Sequence, residues 1–448
     1  MNAPLPDPEP IPPRRALLAA ASALALGACA AERGGPDGRA NAEASERAKE
    51  RFADLRDDGP PLPKIDAADR AARRARLGRL LAERGLDAWI GEGGPTLGYL
   101  SGVAWGKSER LFALVVTADG AHFWLCPAFE AAKARQAIDA PNGPGGALVT
   151  WREDEYAFRP LCAALRERGV ARLAVDPGFR VGFVERLAQT ARADAGFAAL
   201  AAKDAIVSGA ELGLALRGRK EAKELALLRR ASELTQRALV RVHAELAPGM
   251  DGAAIGALVA AAHVRLGFTG SWSLPLVGAA AALPHGDAGR ETLTPGKALL
   301  VDCGGTLAGY QSDITRTWVP FGAPSADVAR AWRDVRDAQR AAFDALRPGR
   351  RCREIDAAAR DLIAARGWPG GFGVFTHRLG HGIGLEGHED PYFDGGSEVV
   401  LEPGMTLSNE PGIYVEGAFG VRIEDIVHVT ADGAEVFGAW QEQPGSPA

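Results

Sequence analysis

The chain is poor in cysteine. Five occur in 448 residues, with no CxxC pair and no regular spacing, so neither a disulfide framework nor a zinc ribbon is indicated. A basic excess is also missing. Lysine and arginine number 52 against 57 acidic residues, a formal net charge of −5. That balance argues against a general binder of nucleic acid or anionic membranes. No apolar run approaches the roughly 20 residues that span a bilayer; the stretch Ala16–Ala28 is too short. Histidine is scarce, with eight in all, yet three fall between positions 377 and 388. What remains is ordinary: 47% hydrophobic and 24% charged residues, the composition of a soluble globular protein. The length sets two folded domains as the expectation.

The first residues read as a leader. Met1–Pro13 is proline-rich, Arg14 and Arg15 precede the short apolar run, and Leu26-Gly-Ala-Cys29 follows it. A basic flank before a short apolar segment fits a signal peptide over residues 1–30. The paired arginines fit twin-arginine export. Leu26–Cys29 resembles a bacterial lipobox, in which Cys29 would carry the lipid. The bland alternative is an alanine-rich tail. Residues 31–64, charged and rich in Gly, Pro and Ala, read as a disordered tether. The protein is therefore expected to be exported, either periplasmic or held at a membrane only through Cys29.

Residues 65–208 read as an α/β domain. Ala67–Gly85 has helical spacing, and Leu111–Cys126 reads as two strands around an Asp119-Gly120 turn. His122 sits mid-strand and reads as structural. Residues 212–448 read as a second domain that opens with a long helix, Arg219–Glu245, and a buried one, Ile255–Leu266. His243 and His263 on these helices read as packing or surface residues.

Chemistry gathers in the second domain. Asp302 ends the apolar strand from Lys297, before an expected Gly304-Gly305 turn. Asp313 lies on the return strand Tyr310–Trp318, so the two acids could share one face. Strand alternation sends Cys303 the other way. Glu410 stands at a strand end before Pro411-Gly412. Glu424 follows Arg422 by two on a strand that also carries His428, which is taken as incidental. Any one of these acids could be a turn or surface residue. Four in apolar surroundings repel one another and are costly to bury without cations. Gly380, Gly382, Gly384 and Gly387 around His377, His381 and His388 suit close backbone approach rather than a long helix. His285, between Pro284 and Gly286, is either presented for function or merely a loop residue. Four carboxylates and an imidazole suit Mn²⁺, Co²⁺ or Zn²⁺. Two such ions bridged by carboxylates would hold a hydroxide between them.

In order and context, Asp302, Asp313, His381, Glu410 and Glu424 resemble the five ligands of the pita-bread metallopeptidases. The likeness is to the prolidase and aminopeptidase P branch. It is carried by Leu283-Pro-His285-Gly, His377-Arg-Leu-Gly-His381-Gly-Ile-Gly-Leu, His388-Glu-Asp-Pro, Asn409-Glu-Pro-Gly-Ile-Tyr414 and Val421-Arg-Ile-Glu424-Asp. It spans Ile65 to Val436, specific in the second domain and loose in the first. All five ligand positions are filled, unlike creatinase, which uses the fold without metal. The resemblance implies an α/β (α+β) architecture: a creatinase-like N-terminal domain and a pita-bread catalytic domain. It implies two divalent ions, Mn²⁺ first, with Co²⁺ or Zn²⁺ as alternatives. Asp313 and Glu424 would bridge them, Asp302 would chelate one, and His381 and Glu410 would bind the other. Glu410 would also shuttle protons. His285 and His388 would stabilise the oxyanion or the leaving group. His377 would line the substrate pocket, and Arg422 would hold Glu424 or meet a substrate carboxylate. The implied reaction is cleavage between an N-terminal residue and penultimate proline, by a homodimer acting as aminopeptidase or dipeptidase. An X–Pro bond lacks the N–H that general peptidases grip. Two other readings stay open: a same-fold hydrolase of amidines or N-acyl amino acids, and a peptide-binding module without activity.

Overall fold

The computed structural model describes residues 50–286 and 291–448. The leader expected over residues 1–30, with Arg14, Arg15 and Cys29, lies outside the described residues. So does the expected tether as far as residue 49. The rest of that expected tether is corrected. Phe52 and Leu55 are buried in a core with Leu234, Leu239 and Val242, and Asp54, Asp57 and Asp58 pair with Arg241, Arg230 and Arg237. Two apolar anchors spaced among charges are enough to dock a stretch whose composition reads as disordered.

A six-stranded sheet forms the first α/β layer. Helix α1 (Ala67–Glu83) starts at Asp66, whose carboxylate accepts from the Ala68 and Asp69 amides while Asp69 reaches back to the Asp66 amide, a capping box. Strand β1 (Ala88–Glu92) and helix α2 (Pro95–Ser101) follow. The hairpin of β2 (Ala113–Thr117) and β3 (His122–Pro127) turns at Asp119-Gly120, where Gly120 has φ 83°. Next come α3 (Ala131–Ile138), β4 (Ala147–Trp151), α4 (Phe158–Glu167), β5 (Leu173–Val175), α5 (Val181–Ala193) and β6 (Ile206–Ser208). The strand order is β4-β3-β2-β1-β5-β6. Leu161, Leu165 and Leu187 bury one face and Leu77, Leu81 and Leu100 the other. Burying each such side chain contributes about 1.5–3 kcal/mol.

A π-helical turn, Leu214–Gly218, leads into two further α/β halves. In one, α6 (Ala222–His243) and α7 (Gly252–Arg265) cover the antiparallel sheet β7 (Gly270–Val277), β8 (Leu299–Leu307) and β9 (Tyr310–Trp318). In the other, α8 (Ala326–Ala345) and α9 (Cys352–Ala365) share a core with residues of β10 (Gly380–Gly382), β11 (Glu389–Phe393), β12 (Thr406–Asn409), β13 (Gly412–Val415), β14 (Phe419–Arg422) and β15 (Asp425–Val429), or of the segments beside them. Strand β16 (Ala434–Val436) completes the sheet β11-β10-β12-β15-β16. The halves meet where the Glu424 amide donates to the Thr315 carbonyl at 3.0 Å and the Thr317 hydroxyl to the Arg422 carbonyl at 2.8 Å.

The expected Gly304-Gly305 turn is not one. Strand β8 continues through both glycines, and the chain reverses at Ala308-Gly309, both with positive φ. A Cβ on Gly304 would lie 1.9 Å from the Ser312 carbonyl oxygen and 2.9 Å from the Trp272 ring. This glycine serves close packing, not reversal.

Candidate metal centre

The β8–β9 register sets Asp302 opposite Thr315 and Gly304 opposite Asp313. Asp302, Asp313 and Thr315 therefore share one face, while Cys303 is buried in the core behind. The other half supplies the remaining groups. Glu410 follows the last residue of β12. Glu424, expected within a strand, sits in the short break between β14 and β15. That break turns its side chain to β9, where Thr315 Oγ1 donates to Glu424 Oε2 at 2.6 Å. Helix α9 fixes the start of the histidine stretch. Its buried pair Arg360–Asp356 binds the His377 carbonyl at 2.6 Å and the Leu379 amide at 2.9 Å.

These residues converge. Ligand atoms of Asp302, Asp313 and Glu424 lie within 4.8 Å of one another, and so do those of His381, Glu410 and Glu424. A third grouping at the same spacing joins Asp313, His381 and His388. Asp313, Glu424 and His381 are each less than 5% exposed. His381 Nδ1 faces the Gly382 carbonyl at 3.1 Å, so Nδ1 carries the proton and the Nε2 lone pair is free. Nε2 lies 3.3 Å from Glu410 Oε1 and 3.6 Å from Asp313 Oδ2. Burial, then the neighbouring His388, push the His381 pKa down to about 3, the neutral state a metal ligand needs.

The carboxylates are strained electrostatically. Burial and the charges of Glu424, Asp302 and Glu410 raise Asp313 well above its ordinary range. Burial, Glu410 and Asp302 do the same to Glu424. Burial, opposed by Arg422 and reinforced by Asp302, lifts Glu410 to about 7. Asp302 Oδ1 and Glu424 Oε1 are buried without a hydrogen-bond donor. An oxygen-rich set with one neutral imidazole, repelling acids and two donorless oxygens fits divalent cations. Asp302, Asp313, His381, Glu410 and Glu424 are the residues placed to hold them.

The site opens on a cavity of about 610 Å³ bordered by Trp272, His285, His377, Arg378 and His388. The His388 ring stacks on His381 with centroids 3.7 Å apart. His377 Nδ1 donates to the Arg378 carbonyl at 2.7 Å, and its Nε2 takes the Tyr414 hydroxyl at 2.8 Å. Arg422 donates to that hydroxyl at 3.0 Å and to Asp302 Oδ2 at 2.7 Å. The expected partner of Arg422, Glu424, is thus corrected to Asp302. Because Arg422 is only 3% exposed and already spans Asp302, Tyr414 and the Pro284 carbonyl, it has little left for a substrate carboxylate. His285 is exposed at the rim, while His122, His243, His263 and His428 stay outside the cavity lining.

Four contributors escape a reading of the sequence for acids and imidazoles. Thr315 shares strand parity with Asp313, a signal open to anyone counting by two. Ser408, two before Glu410, donates to Glu410 Oε1 at 3.1 Å and accepts from the His381 amide at 2.9 Å. Tyr414 and Arg378 sit inside the motifs without any local sign of their contacts.

Known proteins resemble this chain over most of its length. The model of metallopeptidase family M24 matches residues 226–431, and that of the creatinase/prolidase N-terminal domain matches residues 73–204. A probable dipeptidase PepE from Mycobacterium tuberculosis is 38% identical over 375 residues, 83% of this chain and 95% of the relative. An Xaa-Pro dipeptidase from Lactobacillus delbrueckii subsp. lactis is 33% identical over 81% of this chain and 95% of its own length. Among solved structures, dipeptidase PepE from Mycobacterium ulcerans superposes with a TM-score of 0.76 at 34% identity, covering 85% of this chain and 98% of that one.

Proposed function

The chain belongs to metallopeptidase family M24, and on that premise we propose that it is a dipeptidase for Xaa-Pro substrates working with two divalent ions, Mn²⁺ foremost. The observation that carries the reading is the five-residue cluster with its two donorless oxygens, open to a cavity ringed by imidazoles. Asp313 and Glu424 are the bridging candidates, Asp302 the chelator on one side, and His381 and Glu410 the ligands on the other. Ions held there supply Lewis-acid chemistry, polarising a carbonyl and bringing the ionisation of water toward neutral pH.

The chain's own groups do the rest. Glu410, at the cavity with Ser408 donating to its Oε1 at 3.1 Å, is the carboxylate placed to take a proton and return it. His388 and His285 at the cavity can donate to a developing oxyanion or steady the leaving nitrogen. His377, held neutral with Nε2 accepting from Tyr414, lines the substrate side. Arg378 borders the cavity, stacks on Tyr392 at 4.2 Å and has no carboxylate partner among the described residues. A free guanidinium there suits a substrate's terminal carboxylate, which favours dipeptides over longer peptides. The names of the Mycobacterium and Lactobacillus relatives point the same way.

The test is a product assay on Mn²⁺-loaded protein with Gly-Pro, Gly-Leu and Gly-Pro-Ala. Preferred hydrolysis of Gly-Pro supports the reading. Preferred release of glycine from Gly-Pro-Ala makes it an aminopeptidase instead. Turnover only of amidines or N-acyl amino acids moves it out of peptide chemistry. Export, a lipid on Cys29 and a homodimer belong to the same proposal. Membrane fractionation of a Cys29→Ser variant and light scattering decide them.

A further inference from the structure

Glu389 follows His388 directly, yet its side chain points away from the metal cavity. It is buried and held by two cations. Lys220 Nζ donates to Glu389 Oε1 at 2.9 Å, and Arg217 donates to Oε2. Lys220 is itself 1% exposed at its side chain. Arg217 also donates to Glu386 at 2.6 Å and to Thr96 at 3.1 Å. The two acids and one hydroxyl so joined come from the N-terminal α/β layer (Thr96), the loop before His388 (Glu386) and the first residue of β11 (Glu389). Arg217 itself lies on the π-helical turn between the two parts of the chain.

The glycines of the histidine stretch are shaped to this carboxylate. A Cβ on Gly384 would lie 2.5 Å from Glu389 Oε1, and one on Gly382 would lie 2.4 Å from the Glu389 carbonyl oxygen. Gly382 is also the β-ladder partner of Glu389, directly after a register shift at His381. The backbone between His381 and Glu389 therefore folds around the Glu389 side chain. His388, the exposed residue of that loop, has no hydrogen bond of its own among the described residues. Its ring is placed by the stack on His381 and by the anchoring of the next residue.

We propose that Glu389 is a positioning residue: with Lys220 and Arg217 it fixes the backbone that presents His388 to the substrate cavity. This rests on the reading of His388 as a group that acts on the substrate. Glu389 touches no substrate, and its effect on turnover passes through His388 rather than through the His381 end of the same loop.

A double-mutant cycle separates positioning from mere stability. Glu389→Gln keeps the shape and removes the charge that the two cations need. In the otherwise native protein it lowers kcat for Gly-Pro on the order of 10- to 100-fold, the range for residues that orient a catalytic side chain, with KM changed less. In a His388→Ala background the same substitution changes kcat less than about twofold. Equal losses in both backgrounds overturn the proposal. A second readout needs no catalysis. With only eight histidines in the chain, a His388→Ala variant assigns the His388 ring signal in a histidine-labelled sample. Glu389→Gln shifts or broadens that signal and leaves His122 and His243 in place; an unmoved His388 signal overturns the proposal. If His388→Ala itself leaves kcat intact, the catalytic reading of His388 fails, and the ring signal alone judges the positioning. Should Glu389→Gln not fold, Arg217→Gln, nearer the surface, carries the same cycle with a smaller loss expected.

Discussion

Asp313 is buried, accepts no hydrogen bond among the described residues and faces three other carboxylates. Such a residue is a cost to the metal-free fold, one that an ion bound under the proposed function would offset. Asp313→Asn should therefore raise the stability of the metal-free protein by about 1 kcal/mol, by relieving like-charge repulsion. It should also lower metal-dependent hydrolysis by more than about 100-fold. Thermal melts in EDTA and a Gly-Pro assay with metal check the two halves of that claim. The shared face of Asp302 and Asp313 was legible in the sequence, because Asp302 ends an apolar run and Asp313 lies on the alternating return strand beside it. The partner of Arg422 was not. Asp302 is 120 positions away, and the local pattern offered only Glu424. Which carboxylate an arginine takes is decided by how two halves of the chain meet.

Among the elements, β8 and β9 carry the most chemical weight, since their register alone brings Asp302, Asp313 and Thr315 to one face. Their spacing depends on Gly304. With a Cβ only 1.9 Å from the Ser312 oxygen, Gly304→Ala must push the strands apart. A destabilisation of about 2 kcal/mol or more is expected from such overpacking, together with loss of bound metal. Urea unfolding and metal analysis of the purified variant test it. The strands themselves were readable from alternation and apolar content. Two adjacent glycines also invite the reading of a turn, and only the neighbouring strand and Trp272 reveal them as a close-packing site. The docked stretch around Phe52 and Leu55 was hidden for a related reason. Its charges dominate the composition, while its few apolar residues do the anchoring.

For the whole molecule, the centre sets how stability follows pH. Asp313, Glu410 and Glu424 have folded-state pKa values above their ordinary ones. The metal-free fold thus binds protons that the unfolded chain releases, and the stability they contribute is lost as pH rises through the folded values. His377 and His381, both pushed down to about 3 by burial first, act in the opposite sense and cost stability only as pH falls below about 6.5. Above roughly pH 6.5 the histidine contribution fades, while Glu410, at about 7, still has its proton to lose. The melting temperature of metal-free protein should therefore fall from about pH 6.5 to 8.5. Saturating Mn²⁺ should remove most of that slope, because bound cations replace the protons. Calorimetry with and without EDTA measures both curves. The two-part α/β plan behind this behaviour was foreseeable from element order and the metallopeptidase motifs. How the buried charges balance was not, since it arises from the packing of one half against the other.

The most direct test of the account is a titration of metal-free protein with Mn²⁺, following hydrolysis of Gly-Pro and bound metal together. No hydrolysis is expected in EDTA, and activity should rise as the sites fill. Asp313→Ala should stay inactive at any metal concentration. Full Gly-Pro hydrolysis by metal-free protein, or by the Asp313→Ala variant, would contradict these expectations.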